Sequence, residues 1–379
     1  MYILLAPDKF RGSLEASEVC QAMAEGIYQQ FPTAEIISIP LADGGEGTTR
    51  ILTEQSKGKF VTTFVRDPLG RRIEAAYGLS DDGKTAFIEM AAASGLNLLK
   101  STEQNPLLTD TYGTGELILH ALDSGVKKII LGIGGSATTD AGIGMASALG
   151  FKFFEGSRES VKANGENLSQ IKYINTENID TRLAHVEIVV ACDVTNPLYG
   201  ETGAAHVYGP QKGATDLMVL QLDEGLRNIA IIASRTFGKD VSNVPGAGAA
   251  GGLGAGCLWF LNAKLREGVS IVMEQTRIAE HIMKADLVIT GEGKVDQQTL
   301  NGKVVKGLAS LCLENNVPLA VVCGTLMISP REANDAGIVY AVSALNRPMT
   351  LQEAEAEAFS MVSDATFQLV RLFFYKDRK

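Results

Sequence analysis

The sequence predicts an α/β protein with two different domains. Short apolar runs alternate with helical patterns near both ends of the chain, whereas the middle opens with a hairpin pattern and then alternates on its own. The 40 glycines among 379 residues cluster where predicted strands end. We therefore expect a doubly wound domain formed by both chain ends, residues 1–65 with 285–379, and an inserted α/β domain, residues 66–284.

The N-terminal segment alternates strand and helix. In the predicted helix, Val19, Met23 and Ile27 recur at the spacing of one helical face. A glycine-rich turn, 42–48, follows the second strand, as at the carboxyl end of a strand in a βα unit. The predicted elements are strand 2–7, helix 15–30 and strand 35–41.

The C-terminal segment repeats this alternation. Strand 286–290 runs into Gly-Glu-Gly, which we interpret as a turn, and strand 318–323 runs into Gly324. The long last helix is rich in alanine and glutamate. The predicted elements are strand 286–290, helix 303–315, strands 318–323 and 338–343, and helix 351–374.

The middle begins with two strand patterns on either side of the turn Asp67–Gly70, which predicts a hairpin. A strand–helix alternation follows and predicts a second α/β domain. The predicted elements are hairpin strands 60–66 and 71–80, helix 113–123, strand 127–133, helix 140–149, strands 151–155 and 186–191, and helices 214–234 and 252–265.

Composition excludes several classes of protein. The formal net charge of −10, with no basic run, argues against binding to nucleic acid or to an anionic membrane. No apolar run approaches the ~20 residues of a membrane span, and the N-terminus lacks the basic region of a signal peptide. Five cysteines without a CxxC pair indicate free thiols in the cytoplasm, and four scattered histidines signal no transition-metal site.

Two further nucleotide-binding patterns have structural explanations. Gly78–Thr85 matches GxxxxGK[ST], but Asp81 and Asp82 would place carboxylates where phosphates bind, so we interpret it as a hairpin turn. Gly246–Gly251 matches GxGxxG without a convincing strand before it. Close packing of a helix by small residues explains the second pattern equally well.

A third pattern is compatible with a different class of enzyme, an oxidoreductase. Gly132–Ala137 follows a predicted strand and opens a predicted helix, and Glu155 ends the next strand. This is the arrangement of a dinucleotide fingerprint with its ribose-binding acid. The alternative function is therefore a dinucleotide-dependent oxidoreductase of a small hydroxy acid.

Acidic residues in glycine-rich loops favour phosphoryl transfer. Asp43, Asp193, Glu292 and Asp296 all follow predicted strands, at the edge where open α/β sheets bind ligands. Carboxylates beside glycine backbone suit Mg²⁺ and phosphate. The loop 8–13 adds a lysine and an arginine, which can grip an anionic substrate.

Nine segments together make the chain resemble the bacterial class I glycerate kinases. They occur in the order of that family, and no single glycine pattern approaches their combined specificity. The segments are DKFRGSL (8–14), ADGGEGT (42–48), DPLGR (67–71), TDTYGTGELI (109–118), IGGSATTDAGIGMASALG (133–150), ACDVTNPLYG (191–200), YGPQKGA (208–214), GAGAAGGLGA (246–255) and ADLVITGEGKVDQQTLNGK (285–303).

The resemblance implies ATP-dependent phosphorylation of D-glycerate with Mg²⁺ in the cytoplasm, by two α/β domains with the active site in the cleft between them. Members of the family generally phosphorylate the 2-hydroxyl, so we expect 2-phosphoglycerate. Neither nucleic acid nor a membrane is an expected partner, and no feature of the sequence sets the oligomeric state.

We assign the candidate roles of the site residues from the chemistry of their side chains and backbone groups. We expect Asp193 and Lys9 to be catalytic, Asp193 as the general base. Side chains for the substrate are Arg11, Arg71 and Ser13. Residues for the nucleotide are Gly134, Gly135, Ser136, Gly291, Gly293 and Lys303. Metal ligands are Asp43, Glu292 and Asp296.

Overall fold

The structure of the protein is a computed structural model that describes residues 1–42, 44–45, 47–156, 160–301 and 303–375, without the side chains of residues 298, 301 and 303. The chain forms two compact units, Met1–Asp43 with Val269–Lys379, and Gly44–Gly268. The predicted domain boundaries, 65/66 and 284/285, lie further along the chain than these two divisions. The hairpin at residues 59–79 belongs to the second unit.

The strands of the described chain are numbered in chain order. They are β1 (Tyr2–Leu5), β2 (Glu35–Ser38), β3 (Lys59–Arg66), β4 (Arg72–Leu79), β5 (Thr85–Glu89), β6 (Lys128–Gly132), β7 (Lys152–Phe154), β8 (Tyr173–Asn175), β9 (Glu187–Ala191), β10 (Lys264–Arg266), β11 (Leu287–Val295), β12 (Leu319–Leu326) and β13 (Ile338–Ser343).

The α-helices are numbered in the same way. They are α1 (Ala16–Gln30), α2 (Thr48–Gln55), α3 (Ala91–Ser94), α4 (Tyr112–Asp123), α5 (Ile143–Ala148), α6 (Ala204–Tyr208), α7 (Asp216–Phe237), α8 (Ala249–Phe260), α9 (Gly268–Gln275), α10 (Ile278–Ile282), α11 (Gln297–Asn301), α12 (Lys303–Glu314), α13 (Pro330–Asp335), α14 (Leu351–Ala356) and α15 (Ala358–Phe373).

The first unit contains a parallel sheet in the order β2-β1-β11-β12-β13. Renumbered within the unit, this is the doubly wound order 2-1-3-4-5, so the strand order reverses between β1 and β11. Ligands of such sheets bind outside the carboxyl ends of the strands, at this reversal. The prediction of an α/β fold is confirmed.

Helix α1 lies in the core of the first unit because its apolar residues share one face. Val19, Met23 and Ile27 are fully buried, and burying each contributes roughly 1.5–3 kcal/mol. At Gly26, a Cβ atom would lie 2.2 Å from the carbonyl oxygen of Ser363. The first helix of the unit therefore packs tightly against α15, the last.

The second unit contains a mixed sheet in the order β10-β9-β6-β5-β4-β3. Strands β3, β4 and β5 are antiparallel neighbours, and the other pairs are parallel. The predicted hairpin is confirmed as β3 and β4. The predicted turn at Gly78–Thr85 is confirmed as well, since it joins β4 to β5 with Gly83 at φ +67° and no helix follows.

The segment with the GxGxxG pattern packs against the loop after β6. Ala250, Gly251 and Gly252 all have left-handed backbone. A Cβ atom on Gly251 would lie 2.0 Å from the carbonyl oxygen of Thr138. Glycine is therefore required here by close backbone packing, as the sequence analysis proposed.

Several predicted elements end at other residues in the structure. The predicted helix 351–374 is divided at Glu357 into α14 and α15. The predicted helix 252–265 ends at Phe260, since Asn262 has φ +48° and β10 follows. Strand β11 continues to Val295, through the glycines that we interpreted as a turn. Within the described residues, no helix is long and apolar enough to span a membrane.

Candidate active site

In the second unit, the carboxyl ends of the parallel strands lie at one edge of the sheet. The register of the parallel strands aligns Glu89 of β5, Gly132 of β6, Ala191 of β9 and Arg266 of β10. The residues that follow each strand therefore emerge at one edge. Gly134 and Asp193, which follow β6 and β9, are thus brought to the same edge.

The segment that starts at Gly44 lies along this edge. A Cβ atom on Gly44 would lie 3.4 Å from Asp193 Oδ2, and one on Gly134 would lie 3.5 Å from the Cα atom of Gly45. Glu89 Oε1 accepts hydrogen bonds from the backbone N–H groups of Gly47 (3.1 Å) and Thr49 (2.9 Å), so it caps α2. Glu89 was not predicted as a site residue, although its place at the end of an apolar strand is a usable signal.

The loop Gly134–Ser136 is held in place by its neighbours. Gly135 has φ +71°, and its carbonyl oxygen accepts a hydrogen bond from the Leu96 N–H at 2.9 Å. The Ala137 N–H donates to the carbonyl oxygen of Ser94, also at 2.9 Å. A glycine loop held in one conformation is suited to present backbone N–H groups to an anion.

Lys212 lies behind this loop and is only 1% exposed. Its Nζ donates to Ser136 Oγ at 2.8 Å and to the carbonyl oxygen of Thr138 at 2.6 Å. Burial lowers the pKa of the Lys212 ammonium to about 7, and the negative charge of Asp140 opposes this shift. A buried cation thus supports the loop from the inside.

Asp140 is the matching buried anion, with no exposed surface. Its carboxylate accepts four hydrogen bonds, from the N–H and hydroxyl groups of Thr111 and from the N–H groups of Gly142 and Gly144. Burial raises the pKa of Asp140, and these hydrogen bonds oppose the shift. Burial also raises the pKa of nearby Asp110, to about 7. Strongly perturbed pKa values concentrated around one loop are typical of a functional site.

Asp193 stands where β9 ends. Its Oδ1 accepts a hydrogen bond at 3.0 Å from the N–H of Gly268, the last residue of the second unit. This contact fixes the direction of the side chain. A carboxylate fixed at a ligand-binding edge can accept a proton from a bound hydroxyl.

In the first unit, the residues after β1 form a tight turn. The N–H groups of Phe10 and Leu14 each donate to the carbonyl oxygen of the other, at 2.8 and 3.0 Å. Gly12, at φ +84°, makes the reversal possible. The turn leaves Arg11 exposed at its tip.

A pocket of about 140 Å³ lies beside this turn. Arg11, Ser13 and Gly293 all line it. The structure thus brings together three residues that the sequence analysis chose from segments almost 300 residues apart. Lys9 immediately precedes the turn but does not line the pocket.

Glu292 and Asp296 do not share a turn, in contrast to our interpretation. Glu292 lies within β11, paired with Cys323 of β12. Asp296 follows the strand, and its Oδ2 lies 2.7 Å from the Nζ atom of Lys294. The glycines on either side of Glu292 allow close approach of neighbouring backbone, since a Cβ atom on Gly291 would lie 2.2 Å from the carbonyl oxygen of Val322.

Arg71 is already paired. Its Nε lies 2.5 Å from Asp67 Oδ2 and its NH1 nitrogen lies 2.7 Å from Glu103 Oε1. This arrangement stabilises the hairpin turn and does not favour the binding of a substrate carboxylate. Asp43 and the side chain of Lys303 lie outside the described residues.

Within the described residues, which leave out Asp43, a magnesium site would have few protein ligands. Among the residues that the structure describes, no group of three histidine, cysteine or carboxylate side chains could hold a metal ion. Mg²⁺ commonly keeps several waters and takes one or two carboxylates together with substrate phosphates. Glu292 and Asp193 fit that limited role better than Asp296, whose carboxylate pairs with Lys294.

The dinucleotide fingerprint is not supported. In that motif a helix starts within the glycine turn, whereas α5 starts at Ile143, well past Gly132–Ala137. Glu155 follows β7, which pairs with antiparallel β8 in a separate two-stranded sheet. The acid is therefore not at the end of a strand adjacent to β6.

Comparison with known proteins gives consistent matches. The model of the glycerate kinase family matches residues 3–374. The chain is 46% identical over 354 residues to a glycerate kinase of Bacillus cereus, with 93% of each chain covered. It is 44% identical over 366 residues to the glycerate 2-kinase of Escherichia coli, covering 97% of this chain and 96% of that one. A crystal structure assigned as glycerate kinase 2 from Salmonella typhimurium LT2 matches with a TM-score of 0.91 at 41% identity, over 100% of both chains.

Proposed function

Because the chain belongs to the glycerate kinase family and is therefore a phosphotransferase, we propose that it transfers the γ-phosphoryl group of ATP to D-glycerate. The proposed product is 2-phosphoglycerate, which the name of the Escherichia coli relative supports. The observation that carries the proposal is the fixed loop Gly134–Ser136, backed by the buried cation of Lys212, at the same sheet edge as Asp193.

The phosphates of ATP are assigned to glycine backbone and cations. In the second unit, the loop Gly134–Ser136 offers backbone donors, and the charge of Lys212 behind it favours an anion. In the first unit, Gly291 and Gly293 lie in β11 just past Ile289, which pairs with the last residue of β1, and Lys303 is the proposed lysine for the phosphates. Phosphoryl transfer depends mainly on such positioning and charge stabilisation.

Asp193 is the proposed general base. As the 2-hydroxyl oxygen attacks the γ-phosphorus, its proton passes to the carboxylate, the bond from phosphorus to the β,γ-bridging oxygen breaks, and ADP leaves. Lys9 is the proposed catalytic cation that neutralises charge on the transferred group. Mg²⁺, held by Glu292 together with phosphate oxygens, would supply further positive charge.

The carboxylate of glycerate is assigned to the turn after β1. Arg11 is exposed at the tip of this turn, where its planar guanidinium can bind a carboxylate in bidentate fashion. Ser13 lines the adjoining pocket, but its hydroxyl group donates to the carbonyl oxygen of Phe10 at 3.1 Å, so the carboxylate is assigned to Arg11 alone. Arg71 is left out of this proposal because its guanidinium pairs with Asp67 and Glu103.

A cytoplasmic location remains part of the proposal. It rests on five cysteines that are all free thiols, four of them buried. The proposed substrate and nucleotide are small molecules, so no macromolecular partner is required.

A coupled assay of ADP formation tests the proposal. We expect turnover with D-glycerate, ATP and Mg²⁺, much less with L-glycerate, and none after chelation of the metal. Phosphorus–proton correlation NMR then identifies the product, because phosphorus couples to one methine proton in 2-phosphoglycerate and to two methylene protons in the 3-isomer. Coupling to the methylene group would exclude the proposed product, and absence of ADP would exclude the activity.

A further inference from the structure

We infer that the pocket beside the turn after β1 binds the adenine ring of the nucleotide; this inference rests on the proposed function and adds the site of its nucleobase. The pocket lies outside the carboxyl ends of the strands, next to the reversal of strand order between β1 and β11. That is the position at which doubly wound sheets bind ligands.

The wall of the pocket is mainly apolar. Phe10, Met361 and Val362 line it and are 4%, 4% and 1% exposed. At the same pocket, Leu345 and Leu351 are 36% and 74% exposed. A planar base would bury one face on the inner wall and cover part of these two leucines, which is favourable. A three-carbon hydroxy acid, by contrast, would leave its polar groups against apolar carbon.

The size and rigidity of the pocket fit a single aromatic ring system. Its volume of about 140 Å³ suits one base rather than a whole nucleotide. One border is fixed by short contacts, since Ser343 Oγ donates to the carbonyl oxygen of Gly324 at 2.6 Å and the Ala344 N–H donates to that of Cys323 at 2.7 Å. A preformed pocket loses less free energy on ordering when a ligand binds.

Two glycines leave the phosphate side of the pocket bare. A Cβ atom on Gly324 would lie 2.4 Å from the carbonyl oxygen of Gly293, and one on Gly293 would lie 3.4 Å from the backbone nitrogen of Arg11. A side chain is therefore excluded at Gly324, whereas Gly293 has room for one but carries none. Both glycines line the pocket, so backbone can approach a ribose or phosphate closely. Gly293 is one of the residues already proposed for the phosphates.

Glu355 gives the pocket a hydrogen-bond acceptor. Its carboxylate lines the pocket near Gly12 and can accept a hydrogen bond from the exocyclic amino group of adenine. Glu355→Ala should therefore weaken ADP binding several-fold.

The main test compares two alanines of the same helix. Ala354 lines the pocket, whereas Ala356, two residues later in α14, is exposed and does not. Ala354→Leu should fill the pocket and weaken ADP binding about 10-fold or more in calorimetry. Binding of inorganic tripolyphosphate and the KM for glycerate should not change. Ala356→Leu should match the wild type in all three measurements.

The possible results distinguish failure of the adenine-pocket inference from failure of the proposed kinase reaction. If Ala354→Leu binds ADP like the wild type, or raises only the KM for glycerate, the inference is wrong and the kinase proposal stands. If the wild type neither binds ADP nor turns over ATP, the proposed function fails, and the nucleobase has no place in the pocket.

A second measurement uses the unaltered protein and does not depend on how the variant folds. Photolabelling with 8-azido-ATP should modify a peptide within residues 343–362, and excess ATP should prevent it. Labelling confined to peptides from residues 44–268 would overturn the inference.

Discussion

The two units hold their candidate site residues in opposite ways. In the second unit, Lys212 and Asp140 are buried and bonded to backbone on several sides, so the loop Gly134–Ser136 is part of a packed core. In the first unit, Arg11 is exposed at the tip of a short turn beside an open pocket. We therefore expect substitutions in the second unit to affect stability and activity together, and those in the first unit to affect binding alone.

The largest effect on activity is expected at Asp193, in the second unit. Asp193→Asn keeps an oxygen that can accept from the Gly268 N–H but removes the charge that takes up a proton. We expect kcat to fall by roughly 10²–10⁴-fold, with ATP affinity and Mg²⁺ dependence close to those of the wild type. Steady-state kinetics at several Mg²⁺ concentrations measure this. A variant whose kcat recovers in excess Mg²⁺ would identify Asp193 as a metal ligand instead.

Lys212→Met tests whether the loop depends on its buried cation. The substitution leaves Ser136 Oγ, the Thr138 carbonyl oxygen and the Asp140 charge without the ammonium group. Each lost hydrogen bond to the charged group is worth about 1.5–3 kcal/mol, so the free energy of unfolding should fall. Denaturant unfolding and kinase assays should both show the loss.

The control for Lys212 is Lys84→Ala, in the turn between β4 and β5. Because that turn is not a phosphate loop, kcat should stay within a few-fold of the wild type. A fall of kcat by orders of magnitude in Lys84→Ala would show that the GxxxxGK motif is a phosphate-binding loop. Wild-type stability in Lys212→Met would show that the buried cation does not support the loop.

Arg11→Ala should separate binding from stability in the first unit. Losing a charge-assisted contact worth about 1.5–3 kcal/mol should raise the KM for glycerate by roughly 10–100-fold. The melting temperature should hardly change, because the side chain is exposed. Arg331→Ala is the matched control, since its side chain is 92% exposed in the same unit and lies in another segment, α13. Equal glycerate KM values in the two variants would remove Arg11 from the substrate site.

The smallest effect is a pH dependence that arises in the second unit. The pKa of Asp110 is about 7 in the folded protein against 3.8 in the unfolded chain, so its stabilising contribution is complete below pH 3.8 and is lost as pH rises to 7. Lys212 contributes to stability over a different pH range. Its contribution is present above pH 10.5 and is lost as the pH falls to about 7. Asp110→Asn should flatten the decline of unfolding free energy between pH 4 and 7. A decline equal to that of the wild type would assign it to another group.

The sequence was most informative where the pattern is local. The helical face of Val19, Met23 and Ile27, the hairpin around Asp67–Gly70 and the strand before Gly132 were all predicted from neighbouring residues. The loop Gly134–Ser136 could be chosen because a glycine-rich segment after a strand is a local signal.

Contacts between distant segments could not be predicted. Nothing near Lys212 in the sequence indicates that its Nζ reaches Ser136 and Thr138, 76 and 74 residues away. Gly291 and Gly293 were interpreted as a turn because glycine weakens strands, but at Gly291 the partner strand β12 leaves no room for a Cβ atom. In both cases the deciding neighbour lies in another part of the chain.

The order of strands in the first sheet has a consequence for synthesis on the ribosome. Strands β1 and β2 are made first, but their sheet also needs β11, β12 and β13, which emerge only after residues 44–268. We expect the second unit to fold first, while α1 waits for α15, its partner near the other end of the chain. Nascent chains arrested with residue 286 just exposed should resist proteolysis within residues 44–268 and be cut near α1. Protection of α1 at that length would contradict this order.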